Sequence, residues 1–344
     1  VRFYPAAGST RQEEQRLLWL GILLGLGLLT KIYAYALLPL CLLTIVIVVW
    51  QRSGESLTAG TRLAWWVALP ALLLALPWWV RNWLLYGPWD LLGTAWHDQV
   101  VVGQPRTADW IAEVGWDAYL ERALSMTFRS FWGIFGWLGV AMDERVYVAL
   151  LLFSGTIFLG VLWALVRLIS GGPDMDMDDF QLWVLALFAV SILLVLASYI
   201  WYNLKFVQHQ GRYLFWGLLP LSTYVALGWR EILRPLQGII TGILSGVLAF
   251  SLLLIRYVTG GLHQWTVMLA TAQALFLLCQ PLLLIGVAGG RGPKSRASAR
   301  LASADWFLML TSSVRSWVWA TPFVLLAVLD LMIPALYIIP QLGR

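Results

Sequence analysis

Long apolar runs separated by short polar segments make up most of this chain. A run of about 20 apolar residues is enough for an α-helix to cross a bilayer. The first run is short for a full crossing, and a tight turn at Lys31 joins it to the second. The pattern predicts an all-α fold, a polytopic transmembrane helical bundle of about nine spans. The predicted spans are residues 17–30, 32–50, 63–80, 146–168, 181–202, 212–228, 236–258, 266–288 and 317–340.

One long segment, residues 82–145, interrupts the apolar runs and predicts a large loop outside the membrane. Within this loop, residues 116–136 carry apolar side chains at helical spacing, which is typical of an amphipathic helix lying on a bilayer surface. We therefore divide the chain into N-terminal spans at 1–81, this loop, and a C-terminal membrane bundle at 146–344. The bundle contains a basic stretch at 289–305 that predicts a mobile linker on the cytoplasmic side.

The composition supports a membrane protein. Hydrophobic residues make up 60% of the chain, charged residues 12%, and the mean hydropathy is +0.77, all outside the range of soluble globular domains. Cys41 and Cys279 lie inside apolar runs, which favours packing over a disulfide or a metal site. Gly21, Gly25 and Gly27 have the small-residue spacing that favours close helix packing over ligand binding. No cofactor is predicted, and the participation of a divalent metal stays open.

Basic residues predict the orientation of the chain. Its net charge is +5, but the arginines and lysines lie mainly in short loops, so the positive-inside rule explains them and no nucleic-acid partner is predicted. With the N-terminus inside, Arg167, Arg230 and Arg234 face the cytoplasm and the loop 82–145 is extracytoplasmic. We expect an integral, multi-pass protein of the plasma (inner) membrane whose functional face is extracytoplasmic. Membrane lipids are its predicted surroundings, and its oligomeric state is left open.

The polar run at residues 208–213, between two apolar segments, is the strongest candidate for binding chemistry. Arg212 lies in this run beside Gln210 and Tyr213. Because a guanidinium group keeps its charge and donates two parallel hydrogen bonds, it suits a phosphate at the membrane surface. We predict a lipid-phosphate site there. The simpler alternative is an arginine that extends from a helix end to the interface.

Other polar residues are predicted to lie on the same face of the membrane. Arg81 and Asn82 follow a tryptophan-rich span, where the arginine would bind the same phosphate or serve as an interfacial anchor. Lys31 would meet a lipid phosphate or cap a helix end. Asp98 and His97 are weak candidates for a general base or acid, because most loop carboxylates are simply solvated. The catalytic residue is therefore left unassigned.

Four motifs carry a resemblance to a known class of enzymes. They are GLGLLTK at 25–31, PWWVRN at 77–82, SFWGIFGW at 130–137 and QGRYLF at 210–215. In their order and spacing they resemble the bacterial integral-membrane glycosyltransferases of the GT-C class, in the branch similar to protein O-mannosyltransferases. The likeness runs from about residue 17 to residue 228. The last two motifs are also similar to those of related, uncharacterised bacterial membrane proteins.

The resemblance implies transfer of a sugar from a polyprenyl-phosphate-linked donor to an acceptor on the extracytoplasmic face. It also implies a catalytic carboxylate in an early outer loop, which we expect upstream of Val1, so that this chain would be a fragment without its base. Arg212 and Arg81 would stabilise the phosphate that leaves.

The alternative is a non-catalytic or transport membrane protein that binds lipid-linked phosphates with the same arginines. Asp330, inside a predicted span, would then be a coupling proton site; otherwise it would be a hydrogen-bonded packing contact.

Overall fold

A computed structural model of the chain describes residues 11–53, 57–170, 177–280 and 305–342. The described residues are mostly helical, which confirms the predicted all-α, polytopic class. The last segment continues through a π-helical turn at Pro334–Ile338. The predicted linker at 289–305 lies, apart from Asp305, outside the described residues. The helices are α1 Arg11–Thr30, α2 Ala34–Ser53, α3 Leu57–Tyr86, α4 Thr94–Val100, α5 Thr107–Gly133, α6 Glu144–Ile169, α7 Asp179–Lys205, α8 Leu218–Ile232, α9 Pro235–Thr259, α10 Gln264–Cys279, α11 Asp305–Ile333 and α12 Ile339–Leu342.

Five segments in the described part of the chain are long and apolar enough to cross a membrane. Two shorter apolar helices, Ala34–Trp50 within α2 and the whole of α10, also coincide with predicted spans. The predicted span 212–228 begins differently, because a 3₁₀ turn at Gly211–Gly217 precedes the 15-residue helix α8. The chain is an integral multi-pass membrane protein. Its five long segments are Thr58–Tyr86, Glu144–Ile169, Asp179–Lys205, Pro235–Thr259 and Trp317–Leu342.

The chain forms two compact units, each built from two stretches of sequence. The first unit contains the described residues within 1–119 and 183–208, and the second contains those within 120–182 and 209–344. This division follows the packing of the helices, whereas the predicted boundaries at 81 and 145 refer to the membrane surface. Those boundaries therefore stay a prediction.

Small residues bring α1 and α3 together in the first unit. A Cβ atom at Gly21 would lie 2.5 Å from the carbonyl oxygen of Val67, and one at Gly25 would lie 3.0 Å from the Cα of Ala71. Ala71 is completely buried at this contact. In lipid, such close backbone approach supplies the dispersion contacts that hold helices together. The close packing predicted for these glycines is confirmed.

Replacing Gly21 with valine is expected to lower the thermal stability of the purified protein, because the added side chain overlaps the α3 backbone. Overpacking of this kind costs about 1–3 kcal/mol. The matched control is Gly246→Val in α9, where an added Cβ would meet no atom within 4 Å. Thermal unfolding in detergent should show a clear drop in Tm for the first variant and little change for the second. Equal Tm values would show that the α1–α3 contact tolerates a larger residue.

In the second unit, α6 and α8 touch through their backbones. A Cβ atom at Gly160 would lie 2.1 Å from the carbonyl oxygen of Gly228, so only glycine allows this approach. Trp229 and Ile232 are buried beside the contact. The Trp229 indole N–H donates to the carbonyl oxygen of Trp319 over 3.1 Å, which ties α8 to α11.

A buried carboxylate joins the ends of α6 and α8. Only 5% of the Glu231 side chain is exposed. Arg167 Nη1 donates to both of its oxygens, over 2.8 and 3.0 Å, and Arg234 Nε donates to one of them over 3.1 Å. The sequence interpretation treated these two arginines as cytoplasmic loop charges and missed Glu231. The structure shows that they form an ion network inside the protein.

The amphipathic helix predicted at 116–136 is present as the second part of α5. Gly115, with φ of 84°, interrupts the helix, and the regular stretch then runs from Trp116 to Gly133. The last three predicted residues instead enter a hairpin. Leu120 is 50% exposed and Leu124 is 74% exposed, so an apolar strip faces outward. The location of this strip on the bilayer surface stays a prediction.

Candidate functional site

The turn that carries Arg212 is fixed against α5 in the second unit. The Gly211 N–H donates to Ser130 Oγ over 2.7 Å, across 81 positions of sequence. A Cβ atom at position 211 would lie 2.2 Å from the backbone nitrogen of Phe131. The Phe215 ring packs edge-on against Phe131, with 5.7 Å between centroids. Two of the four resembling motifs, SFWGIFGW and QGRYLF, therefore pack directly on each other.

A β-hairpin between α5 and α6 presents Trp137 beside Arg212. Its strands, β1 Ile134–Phe135 and β2 Val140–Ala141, pair in antiparallel register. The turn has three successive positive φ angles, 54° at Gly136, 56° at Trp137 and 69° at Leu138. The left-handed conformation costs roughly 1–2 kcal/mol for each residue that is not glycine. Such strain concentrates at binding and active sites.

Hydrogen bonds hold the base of this hairpin. The Tyr147 hydroxyl accepts from the Met142 N–H over 3.0 Å and donates to the Gly133 carbonyl over 2.7 Å. Tyr147 is buried, as is Val140 at the first position of β2. The tip is different, since Trp137 is 92% exposed. A rigid support thus presents an aromatic ring at the surface.

Two aromatic rings flank the Arg212 guanidinium group. Its Cζ lies 5.5 Å from the centroid of Tyr213 and 5.7 Å from that of Trp137, both within cation–π range. The side chain is exposed, and within the described ranges no carboxylate pairs with it. The Gln210 carbonyl accepts from the Tyr213 N–H over 3.2 Å and closes the turn. The arrangement positions a cation and leaves its N–H groups available to an anion.

His209, just before this turn, is only 4% exposed. Burial, together with the positive charge of Arg122, lowers the pKa of His209 to about 4. The imidazole is therefore neutral at physiological pH, and it adds no positive charge beside Arg212.

In the first unit, Asn82 is completely buried. Its amide donates to the Leu91 carbonyl over 2.8 Å, and its oxygen accepts from Arg81 Nη1 over 3.0 Å. Arg81 is exposed and also lies over the Trp78 ring at 5.0 Å. Helix α3 continues to Tyr86, so both residues lie within the helix and not at its end. Asn82 orients Arg81 and the following loop, and a direct contact between Asn82 and a phosphate does not fit this geometry.

Asp90 organises the loop that follows α3, a role that the sequence interpretation missed. Its carboxylate accepts from the Ala95 N–H over 3.1 Å and from the Trp96 N–H over 2.8 Å, at the start of α4. Burial acts to raise the pKa of Asp90, but these backbone hydrogen bonds lower it below its ordinary value. Trp96 also stacks on Tyr86, with 5.9 Å between centroids. The loop is thereby folded back onto the end of α3.

Asp98, a weak candidate for the catalytic base, is engaged by basic side chains. Lys205 Nζ lies 2.5 Å from one carboxylate oxygen, and His97 Nδ1 lies 3.4 Å from the other. Burial acts to raise the pKa of Asp98, but these two partners lower it below its ordinary value. The carboxylate therefore stays ionised and paired, which suits a structural role that orders the loop.

The other two predicted residues, Lys31 and Asp330, form no ion pair with any residue that the structure describes. Lys31 is exposed at the turn between α1 and α2, where its N–H donates to the Gly27 carbonyl over 3.1 Å. Asp330 is exposed in the last apolar span, and its carboxylate has no hydrogen-bond partner among the described residues. The expected packing contact of Asp330 is therefore absent from that part of the chain. Where side chains are described, no three His, Cys, Asp or Glu residues are grouped to hold a metal ion.

The predicted phosphate ligands belong to both units. Arg212, Gln210 and Tyr213 lie in the second unit, whereas Lys31 and the Arg81–Asn82 pair lie in the first. Within the second unit, the structure adds Trp137 to the predicted group. The sequence contained a signal for it, since the SFWGIFGW motif ends at this tryptophan. The convergence of the two sets on one ligand stays a prediction.

Comparison with protein-family models gives a match over residues 1–86, to the family described as dolichyl-phosphate-mannose-protein mannosyltransferase. The matched segment is a quarter of the chain and covers α1 to α3, including Lys31, Arg81 and Asn82. Over these residues the chain is similar to the protein O-mannosyltransferases. This confirms the resemblance and supports a membrane glycosyltransferase in the broad sense. No curated protein and no solved structure matches the chain.

The turn around Arg212 and the hairpin around Trp137 lie outside the matched residues. Their role therefore depends on their own geometry and not on the family model. The matched segment supplies the helices that carry Arg81 and Lys31. The family match supports a role for the first unit, and the geometry around Arg212 supports a role for the second. These two observations are independent of each other.

Proposed function

We propose that this protein transfers a sugar from a polyprenyl-phosphate-linked donor to a hydroxyl acceptor on the extracytoplasmic face of the plasma membrane. The observation that carries the proposal is the Arg212 guanidinium group, exposed, flanked by two rings and unpaired with any described carboxylate. The family name supports a lipid-phosphate sugar donor, since dolichyl phosphate mannose is such a compound.

The reaction is a displacement at the anomeric carbon. The acceptor oxygen forms the new bond to this carbon, while the bond from the carbon to the phosphate oxygen breaks. The phosphate leaves with the electron pair, and the acceptor proton passes to a carboxylate base. Arg212 stabilises the negative charge that develops on the phosphate, because its two parallel N–H groups match two phosphate oxygens. Arg81, in the first unit, is a second proposed phosphate-binding cation.

Trp137 has a proposed role beside the phosphate. Its ring lies 5.7 Å from the guanidinium carbon, so a group attached to a phosphate on Arg212 would lie against the ring. Such a flat, exposed ring suits the apolar face of a sugar or the first isoprene unit of the lipid. The strained turn then fixes the ring before the donor arrives, which lowers the entropy cost of binding.

Transfer can be tested with the full-length protein in proteoliposomes that contain radiolabelled mannosyl-phospho-polyprenol as the probe. The expected result is protein-dependent release of polyprenyl phosphate together with label transferred to an acceptor or to water. Heat-inactivated protein is the matched control. The proposal would be wrong if the protein neither releases polyprenyl phosphate nor binds the donor saturably. Saturable binding without release across a panel of sugars would instead favour the non-catalytic or transport alternative.

A further inference from the structure

A groove of about 410 Å³ lies between α8 and α11 in the second unit, away from the Arg212 turn in sequence. This volume is within the range of small-molecule pockets. From Ser222 to Arg230 the groove follows one face of α8, a separation of about 12 Å along the helix axis. Its lining is mostly apolar. The residues that line it are Ser222, Thr223, Ala226, Leu227, Arg230 and Trp319.

The charge at one end of this groove is uncompensated. Arg230 is exposed, and within the described ranges no carboxylate pairs with it. Its sequence neighbour Glu231 is the nearest acid along the helix, but Arg167 and Arg234 already occupy both oxygens of that carboxylate. Two guanidinium groups therefore share that carboxylate, and Arg230 contributes a further positive charge beside them in the sequence. An anion at Arg230 would balance the excess positive charge.

The apolar part of the groove indicates what kind of anion fits. Beyond Arg230, the walls are Leu227, Ala226 and the indole of Trp319, which is 49% exposed. The hydroxyl groups of Ser222 and Thr223 both donate to the Leu219 carbonyl, so they offer only acceptor lone pairs to a ligand. A small free anion would bind the arginine and leave the rest of the groove empty. An anionic lipid would bind the arginine through its phosphate and pack its acyl chain against the apolar walls.

We propose that this groove binds one anionic phospholipid, with its phosphate on Arg230 and the start of an acyl chain along Ala226 and Trp319. The lipid belongs to the leaflet on the Arg230 side, which the charge pattern predicts to be the cytoplasmic one. Interfacial basic residues attract anionic lipids, and a fixed groove adds selectivity for one molecule. This site is separate from the proposed donor site and does not depend on sugar transfer.

Native mass spectrometry of the detergent-purified protein tests this proposal. The probe is an equimolar mixture of phosphatidylglycerol and phosphatidylcholine. The expected result is one retained phosphatidylglycerol, preferred over phosphatidylcholine by about fivefold, since a single interfacial arginine contributes on that order. Arg230→Gln should abolish the preference. Arg62→Gln, which changes another exposed arginine, near the start of α3, should leave the preference intact.

A second variant separates lipid binding from simple charge attraction. Ala226→Phe fills the apolar part of the groove and keeps Arg230, so it should also release the bound lipid. Glycerol phosphate in excess, which has the headgroup but no acyl chain, should not displace the lipid. The proposal is overturned if Ala226→Phe retains the lipid, if glycerol phosphate displaces it, or if Arg62→Gln and Arg230→Gln have equal effects. Equal effects would identify Arg230 as a general interfacial anchor.

Discussion

Replacing Arg212 with alanine should lower the kcat of sugar transfer by about 10²–10³-fold, the loss typical when one preorganised donor to a developing anion is removed. The fold should survive, because the turn is held by the Gly211 hydrogen bond to Ser130 and not by the arginine. Arg212→Lys should be intermediate, since an ammonium keeps the charge but loses the two parallel N–H groups. Initial rates of polyprenyl phosphate release in proteoliposomes measure these effects.

Arg145 provides the matched control for this experiment. It is an exposed arginine in the same unit, and its contact with Asp143 is a loose surface ion pair at 3.8 Å. Exposed pairs of this kind contribute about 0–1 kcal/mol, so Arg145→Ala should change neither the rate nor the Tm appreciably. If Arg212→Ala transfers sugar as fast as Arg145→Ala, Arg212 is not part of the proposed site. The transferase proposal would then depend on other residues.

Replacing Glu231 with alanine should destabilise the protein by about 3 kcal/mol or more, because two guanidinium groups would lose the carboxylate that compensates them in a mostly buried setting. The network joins the ends of α6 and α8, since Arg167 extends from the end of α6 to Glu231 on α8. Glu231→Gln should be milder, as the amide oxygen still accepts hydrogen bonds. Thermal unfolding in detergent measures the change in Tm.

Glu144 is the matched control, since it also accepts from an arginine over 2.8 Å. Its partner is Arg129, and the two side chains are 50% and 34% exposed, whereas Glu231 is 5% exposed. Solvent screening should make Glu144→Ala cost no more than about 1 kcal/mol. If both alanine variants lower Tm equally, burial does not explain how much the Glu231 network contributes to stability. If Glu231→Ala does not accumulate, the Glu231→Gln comparison decides.

The sequence predicted the features that depend on neighbouring residues. The apolar runs gave the helices, since a lipid-embedded backbone must form its hydrogen bonds within its own segment. The spacing of Gly21 and Gly25 gave the close packing of α1, and the periodicity after Gly115 placed the start of the second part of α5 at Trp116. Each of these signals is local and is read within one or two helical turns.

The features that were missed depend on contacts between distant parts of the chain. Arg167 and Glu231 are 64 residues apart, so no local pattern shows that they pair. The proximity of Trp137 to Arg212 depends on a hairpin whose strained turn has no simple sequence rule. Asn82 and Asp90 are also ordinary polar residues in the sequence, and only the fold shows that both are buried. The structural roles of these two residues therefore could not be predicted from their neighbours in the sequence.

The hydroxyl group of Tyr147 has a consequence that reaches beyond its own position. It accepts one hydrogen bond and donates another, and together these bonds close the base of the hairpin. Without them, the strained backbone of the turn above would relax. A phenylalanine at this position would keep the ring and its packing but remove the clamp. The aromatic tip would then sample many orientations, so the proposed donor site could be weakened by a change at a buried residue that lies outside it.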